Sequence, residues 1–207
     1  MTPEGDPHRA PVGERLSNIH DIQLFRGAFS HKECDYLLRL EKPDYKPAYV
    51  IDPTSGIERV DPVRTSEETH VHWLIENPLI HVFNRRLAAI SGTRVHQGEP
   101  LQILRYRPGQ HYRRHYDFIP GADNQRVLTA LLYLNEDYTG GETAFPRLDL
   151  TVRGRMGDVL LFRNRRTDGG REEDMEHAGL PVLSGVKHIA TRWIRERPAL
   201  SPRFSAD

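Results

Sequence analysis

Cysteine is almost missing from this sequence of 207 residues: Cys34 stands alone. That excludes an internal disulfide and any cysteine-rich zinc module. Long apolar runs are missing too, the longest being LTALLYL and VLLF, far short of a membrane span. Neither sign of charge prevails, with 29 Lys+Arg against 29 Asp+Glu, so there is no electrostatic case for nucleic acid or an anionic membrane surface. The opening MTPEGDPHRAPVGERL carries prolines and charges but no apolar centre, and does not read as a signal peptide. There is no internal repeat and no low-complexity block. These absences point to a soluble, cytoplasmic protein with neither nucleic acid nor membrane as partner.

What is present is globular. The chain is 37% hydrophobic and 28% charged, and its length suits one domain with a substantial core. The expected organisation is a disordered lead-in over residues 1–16, a single domain over 17–198 and a tail over 199–207. FSHKECDYLLRLEK predicts a first helix, with Ser30 and Glu33 as a capping box and Phe29 stapled against Cys34. NPLIHVFNRRLAAISG predicts a second, capped by Asn77, entered through Pro78 and ended by Gly92. Ile80, Phe83, Leu87 and Ile90 share one face of it. From residue 99 onward short strands follow one another between Pro/Gly-rich turns. RVLTALLYL is apolar on both faces, as a strand covered on each side must be. Helices first and strands afterwards imply an α+β fold: a double-stranded β-helix (jelly roll, cupin-like) with N-terminal helices packed on its outer face.

The stretch HYRRHYDF, residues 111–118, poses the chemical question. On a strand, side chains two apart share a face, so His115 and Asp117 point together and Tyr116 points away. One imidazole and one carboxylate make an incomplete transition-metal site, and His177 is the candidate third ligand. Two histidines and one carboxylate on one face of an octahedron leave three positions open, the donor set of non-haem iron(II) oxygenases. Lys187, ten residues beyond His177 and expected on the neighbouring antiparallel strand, could hold the far carboxylate of an iron-chelating 2-oxoglutarate. Tyr106 and Thr129 are polar positions on apolar strands, and either hydroxyl could complete that anion site. Taken alone, the His115/Asp117 pair reads as a plain hydrogen-bonded pair; the lesser alternatives are a solvated strand lysine for Lys187 and core filling for Trp193. His70, His72, His81, His96, His111 and His188 read as ordinary surface or core histidines, and Cys34 as a small apolar helix residue.

At these residues the chain resembles a known family, the iron(II)- and 2-oxoglutarate-dependent prolyl 4-hydroxylases. The matching stretches are LRYRPGQHYRRHYDF, QRVLTALLYLNEDYTGGETAFP, GDVLLF and HAGLPVLSGVKHIATRWI, with DPVRTS upstream. The resemblance implies that His115, Asp117 and His177 hold Fe(II), that Lys187 binds the far carboxylate of 2-oxoglutarate, and that Tyr106 and Thr129 lie around that cosubstrate. It also implies that Arg64, Tyr112, Arg126 and Trp193 contact a peptide substrate. The expected activity is hydroxylation of a prolyl residue to 4-hydroxyproline, with O2 as cosubstrate, succinate and CO2 as products and ascorbate as a candidate reductant. Asp117 disfavours halogenation, whose enzymes lack that carboxylate. The rival readings are hydroxylation of a free amino acid or other small amino-acid-like molecule, a non-catalytic 2-oxoglutarate or metal sensor, and a zinc hydrolase, which would leave Lys187 unexplained. The expectation is a short, single-domain form resembling bacterial and other intracellular members, without the signal peptide, extra domains and disulfides of members acting on secreted chains. The charged segment RNRRTDGGREEDME, residues 163–176, receives no role from the resemblance.

Overall fold

The two helices start where their capping residues stand. Ser30 donates its backbone N–H to Glu33 Oε2 (2.8 Å) while Glu33 N–H reaches back to Ser30 Oγ (3.4 Å), and α1 runs over His31–Leu40. Asn77 Oδ1 accepts from the backbone of Leu79 and Ile80 at the head of α2, Pro78–Ser91, which Gly92 closes at φ 65°. That left-handed backbone is open to glycine at little cost. The computed structural model describes residue 2 and residues 12–40, 45–51, 58–71 and 76–199. Most of the expected lead-in, the last residues of the expected first helix, His72 and most of the expected tail lie outside the described residues.

The strands before and between the helices are β1 (Glu14–Arg15), β2 (Ile22–Phe25), β3 (Lys46–Pro47), β4 (Tyr49–Ile51), β5 (Glu58–Val60) and β6 (Glu67–Val71). After α2 come β7 (Leu101–Tyr106), β8 (Tyr112–His115), β9 (Arg126–Tyr133), β10 (Thr139–Gly140), β11 (Thr143–Phe145) and β12 (Leu150–Val152). The last four are β13 (Val159–Arg163), β14 (His177–Gly179), β15 (Val182–Ser184) and β16 (Lys187–Arg195). Eight strands form the major sheet in the order β1-β2-β13-β9-β16-β7-β6-β3, and four form the minor sheet in the order β12-β11-β14-β8. Pairing within both sheets is antiparallel.

Both faces of the major sheet are covered, which explains the strands that are apolar throughout. Leu128, Ala130, Leu132, Ala190 and Ile194 pack with Cys34, Leu37, Ile80, Phe83 and Leu87 under the helices. The alternate residues Leu131, Tyr133 and Ile189 turn inward with Phe145, Phe162 and Val182. The result is the expected jelly roll with helices outside. Strands do not wait for residue 99, however: β2 and β6 are integral to the major sheet, and Glu14 and Arg15, within the expected lead-in, pair with Leu24 and Gln23. Among the described residues no helix is long and apolar enough to cross a membrane.

Candidate metal centre and substrate cleft

The strand register puts the two histidines side by side. His177 on β14 pairs directly with His115 on β8. β8 ends at His115, so Asp117 does not continue the strand as the two-residue spacing suggested; it sits in the bend that follows. The bend still turns its carboxylate to the histidines. His115 Nε2 is 3.7 Å from Asp117 Oδ1, and His177 Nε2 is 3.6 Å from Asp117 Oδ2. Ligand atoms of all three lie within 4.8 Å of one another. A second group, His20, Glu172 and Asp174, also lies within that spacing, but all three are part-exposed, with His20 Nε2 3.2 Å from Asp174 Oδ2.

Each histidine of the buried cluster has its other ring nitrogen occupied. His115 Nδ1 lies 2.8 Å from the Arg113 carbonyl, and His177 Nδ1 lies 2.9 Å from the Met175 carbonyl. A carbonyl can only accept, so each Nδ1 carries the proton and each Nε2 presents a lone pair to the cluster. Burial, and then the neighbouring His177, push His115 down to about 3, so it stays neutral and able to ligate at ordinary pH. Burial alone pushes the Asp117 carboxyl up. The two imidazoles, Arg126 and a hydrogen bond from Thr129 outweigh it and hold the group below its usual range. Two imidazoles, each turning its Nε2 to the centre, and one carboxylate fit a divalent transition metal.

Lys187 faces this cluster from the other sheet. It is not on the strand next to His177, as the ten-residue spacing suggested: β16 lies in the major sheet, paired with β7 and β9, and β14 in the minor one. A narrow cavity between the sheets is lined by His115, Asp117, His177, Tyr106, Thr129 and Lys187. Lys187 is 2% exposed, donates to the Gly141 carbonyl at 2.6 Å and lies against the rings of Tyr106 and Tyr133. No carboxylate makes an ion pair with it among the described residues. Burial therefore lowers it to about 8, with Glu142 opposing. Such a lysine asks for an anion.

Thr129 lines that cavity, but its hydroxyl is committed elsewhere. It lies 2.6 Å from Asp117 Oδ2 and serves the carboxylate rather than an incoming anion. Tyr106 is buried opposite Lys187 in strand register, and burial raises its phenol.

The four residues expected to touch substrate all line an open cleft of about 800 Å3 beside the cluster. Tyr112 stacks on His115, ring centroids 3.4 Å apart and planes 12° apart. Arg64 is 4% exposed, donates to Gln102 Oε1 and the Tyr49 carbonyl at 3.0 Å each, and pairs with buried Glu68. Arg126 lies 3.8 Å over the ring of Trp193 and forks onto Glu99 through Nε (2.7 Å) and Nη2 (2.8 Å). Its best donors therefore face Glu99, not an open carbonyl site. The Trp193 indole N–H is buried without a partner among the described residues. Glu99, Gln102 and Glu68 escape a reading of the sequence because each looks like an ordinary solvated polar residue; only the fold shows that they fix the cleft arginines. His111 makes a turn contact to the Gly109 carbonyl and stays outside both cavities.

A family model described as "2OG-Fe(II) oxygenase superfamily" matches residues 101–195. "Prolyl 4-hydroxylase 1" of Arabidopsis thaliana is 34% identical over 204 residues, covering 88% of this chain and 69% of that protein. "Prolyl 4-hydroxylase 5" of the same plant is 30% identical over 194 residues, covering 82% of this chain and 66% of that protein. Among solved structures, the viral collagen prolyl hydroxylase of Paramecium Bursaria Chlorella virus-1 in its 2OG complex superposes with a TM-score of 0.67. It shares 29% identity over 87% of this chain and 99% of that one. A Pseudomonas putida prolyl-4-hydroxylase superposes at 0.62 with 20% identity, covering 86% of this chain and 94% of that one, a likeness of fold.

Proposed function

This chain belongs to the prolyl 4-hydroxylases of the 2OG-Fe(II) oxygenase superfamily, and from that premise we propose that it hydroxylates a prolyl residue within a peptide or protein. The observation that carries the reading is a buried His–Asp–His cluster facing a buried, anion-seeking lysine, beside an open cleft walled by aromatic and arginine side chains. Iron(II), when bound, supplies the activation of dioxygen that couples decarboxylation of 2-oxoglutarate to oxidation of a C–H bond.

The protein's own residues bind and orient. His115 and His177 offer Nε2, each with its tautomer fixed through Nδ1, and Asp117 offers the carboxylate. Lys187 Nζ takes the far carboxylate of the cosubstrate, which restores the charge partner that burial otherwise denies it. Tyr112 and Trp193 give flat apolar walls suited to a proline ring. Arg64 and Arg126, held by Gln102 and Glu99, line the same groove. A free amino acid would fill little of it, which favours a peptide over the small-molecule alternative.

Proline inside a peptide is therefore expected to be hydroxylated faster than free proline. In Arg126→Ala and Trp193→Ala, peptide turnover falls while slow uncoupled succinate release persists. Product analysis over a panel of proline-rich peptides and free proline reads both. Robust hydroxylation of free proline, insensitive to either substitution, would move the reading to a small-molecule hydroxylase.

A pH dependence follows from Lys187. The ammonium form binds the dicarboxylate, so affinity for 2-oxoglutarate stays level below pH 8 and falls above it, by about tenfold per unit. Lys187→Arg, protonated throughout, loses that fall. Titration of cosubstrate binding across this range checks it, and an unchanged affinity at high pH in the native protein would contradict it.

A further inference from the structure

We propose that Asn164 is a positioning residue for the Asp117 carboxylate, acting through Thr129, and that the charged segment carrying it, residues 163–176, clamps the carboxylate to the distal histidine. The inference rests on the reading of His115, Asp117 and His177 as metal ligands.

Asn164 and Thr129 are 2% and 1% exposed. Asn164 Nδ2 lies 2.8 Å from Thr129 Oγ1, which lies 2.6 Å from Asp117 Oδ2. An ionised carboxylate between two imidazoles has no proton to give, so the hydroxyl must donate its only proton to Asp117. Its oxygen is then an acceptor toward Asn164, and the amide must present its NH2 group. The relay therefore has one direction, from Asn164 through Thr129 to Asp117. A buried hydroxyl between an acceptor and a donor is locked, and it locks the carboxylate rotamer in turn.

The backbone of Asn164 is fixed as well. Its N–H donates to the Val127 carbonyl at 2.9 Å, and its carbonyl accepts from Glu172 at 3.0 Å. The segment between folds back on itself through a bridge of Arg165 with Arg171. Arg171 lies 4.0 Å over the ring of Tyr116, the residue between the two near ligands, and forks onto Glu173. Glu173 accepts from the Tyr116 hydroxyl at 3.2 Å. Two residues on, the Met175 carbonyl holds His177 Nδ1. One segment thus reaches the carboxylate, the turn that bears it and the distal histidine. Its charges tie it together and to its surroundings: Arg166 pairs with Asp168 and Arg171 with Glu173 inside the segment, while Arg163 reaches Asp21, Arg165 reaches Glu196 and Glu176 reaches Arg147 outside it. A merely solvated loop would leave Asn164 free to face water.

The test is Mn(II) affinity of the metal-free full chain, read by the loss of the free-ion resonance and needing no turnover. Asn164→Ala should weaken binding by roughly 10–100-fold. Asn164→Asp, of the same shape but an acceptor that competes for the Thr129 proton, should weaken it at least as much. Thr129→Ser should keep near-native affinity, and Thr129→Val should lose it. The double variant Asn164→Ala/Thr129→Val should bind no worse than Thr129→Val alone, because the amide has no route to Asp117 without the hydroxyl. Additive losses, or native affinity in Asn164→Asp, would overturn the proposal. His177→Ala separates the levels: native Mn(II) affinity there would sink the ligand assignment itself, whereas lost affinity there with full affinity in both Asn164 variants sinks only the clamp.

Discussion

His177→Ala protein is expected to fold, to lose its tight divalent-metal site and to release no succinate from 2-oxoglutarate. His177 is 6% exposed, flanked by Phe145 and Phe162, and its Nε2 is one of only two imidazole donors in the cluster. Removing it leaves one histidine and one carboxylate, too few to hold an octahedral ion against water. The loss should exceed the roughly 10–100-fold that outer-shell substitutions cost. β14 is still paired on both sides by β8 and β11, so the melting transition should stay cooperative. Metal titration beside a thermal melt reads both outcomes, and unchanged succinate release would refute the assignment.

Lys187→Ala is expected to retain its metal and lose its cosubstrate. The ammonium is a buried cation in the narrow cavity's wall opposite the cluster, on the sheet that supplies no ligand. Without it, a carboxylate entering that cavity is buried with no charged partner, at a cost on the order of 2–5 kcal/mol. That corresponds to an affinity about thirty-fold to a few thousand-fold weaker. Short chelators without a far carboxylate, such as oxalate, should bind the mutant as they bind the native protein. Equal 2-oxoglutarate affinity in the two proteins would place the anion site elsewhere.

Much of this was legible in the sequence, and what was not has physical causes. The helix caps at Ser30/Glu33 and Asn77 are local devices, so local sequence declares them. The strands after residue 100 declare themselves because both faces of the major sheet are buried. β6, EETHV, does not, because Glu67 and Glu68 are polar at positions where tertiary partners, Arg105 and Gln102, decide the conformation. Lys187 and His177 are close for a reason spacing alone does not carry: they lie on opposite sheets facing one cavity, not on neighbouring strands. Thr129 carried the right polarity for the site, but which acceptor its hydroxyl serves depends on Asn164, thirty-five residues away. Arg126 likewise bears no local sign of Glu99, which holds it from another segment.

The most direct test of the central claim is isotopic. The iron(II)-loaded chain, 2-oxoglutarate and a proline-containing peptide are incubated under dioxygen enriched in a heavy oxygen isotope, and peptide and succinate are analysed by fragment mass spectrometry. The prediction is a heavy oxygen on a prolyl ring and another in succinate, in equal amounts, with both signals lost in His177→Ala. Unlabelled products, or label in succinate with no peptide in the panel ever modified at proline, would contradict it.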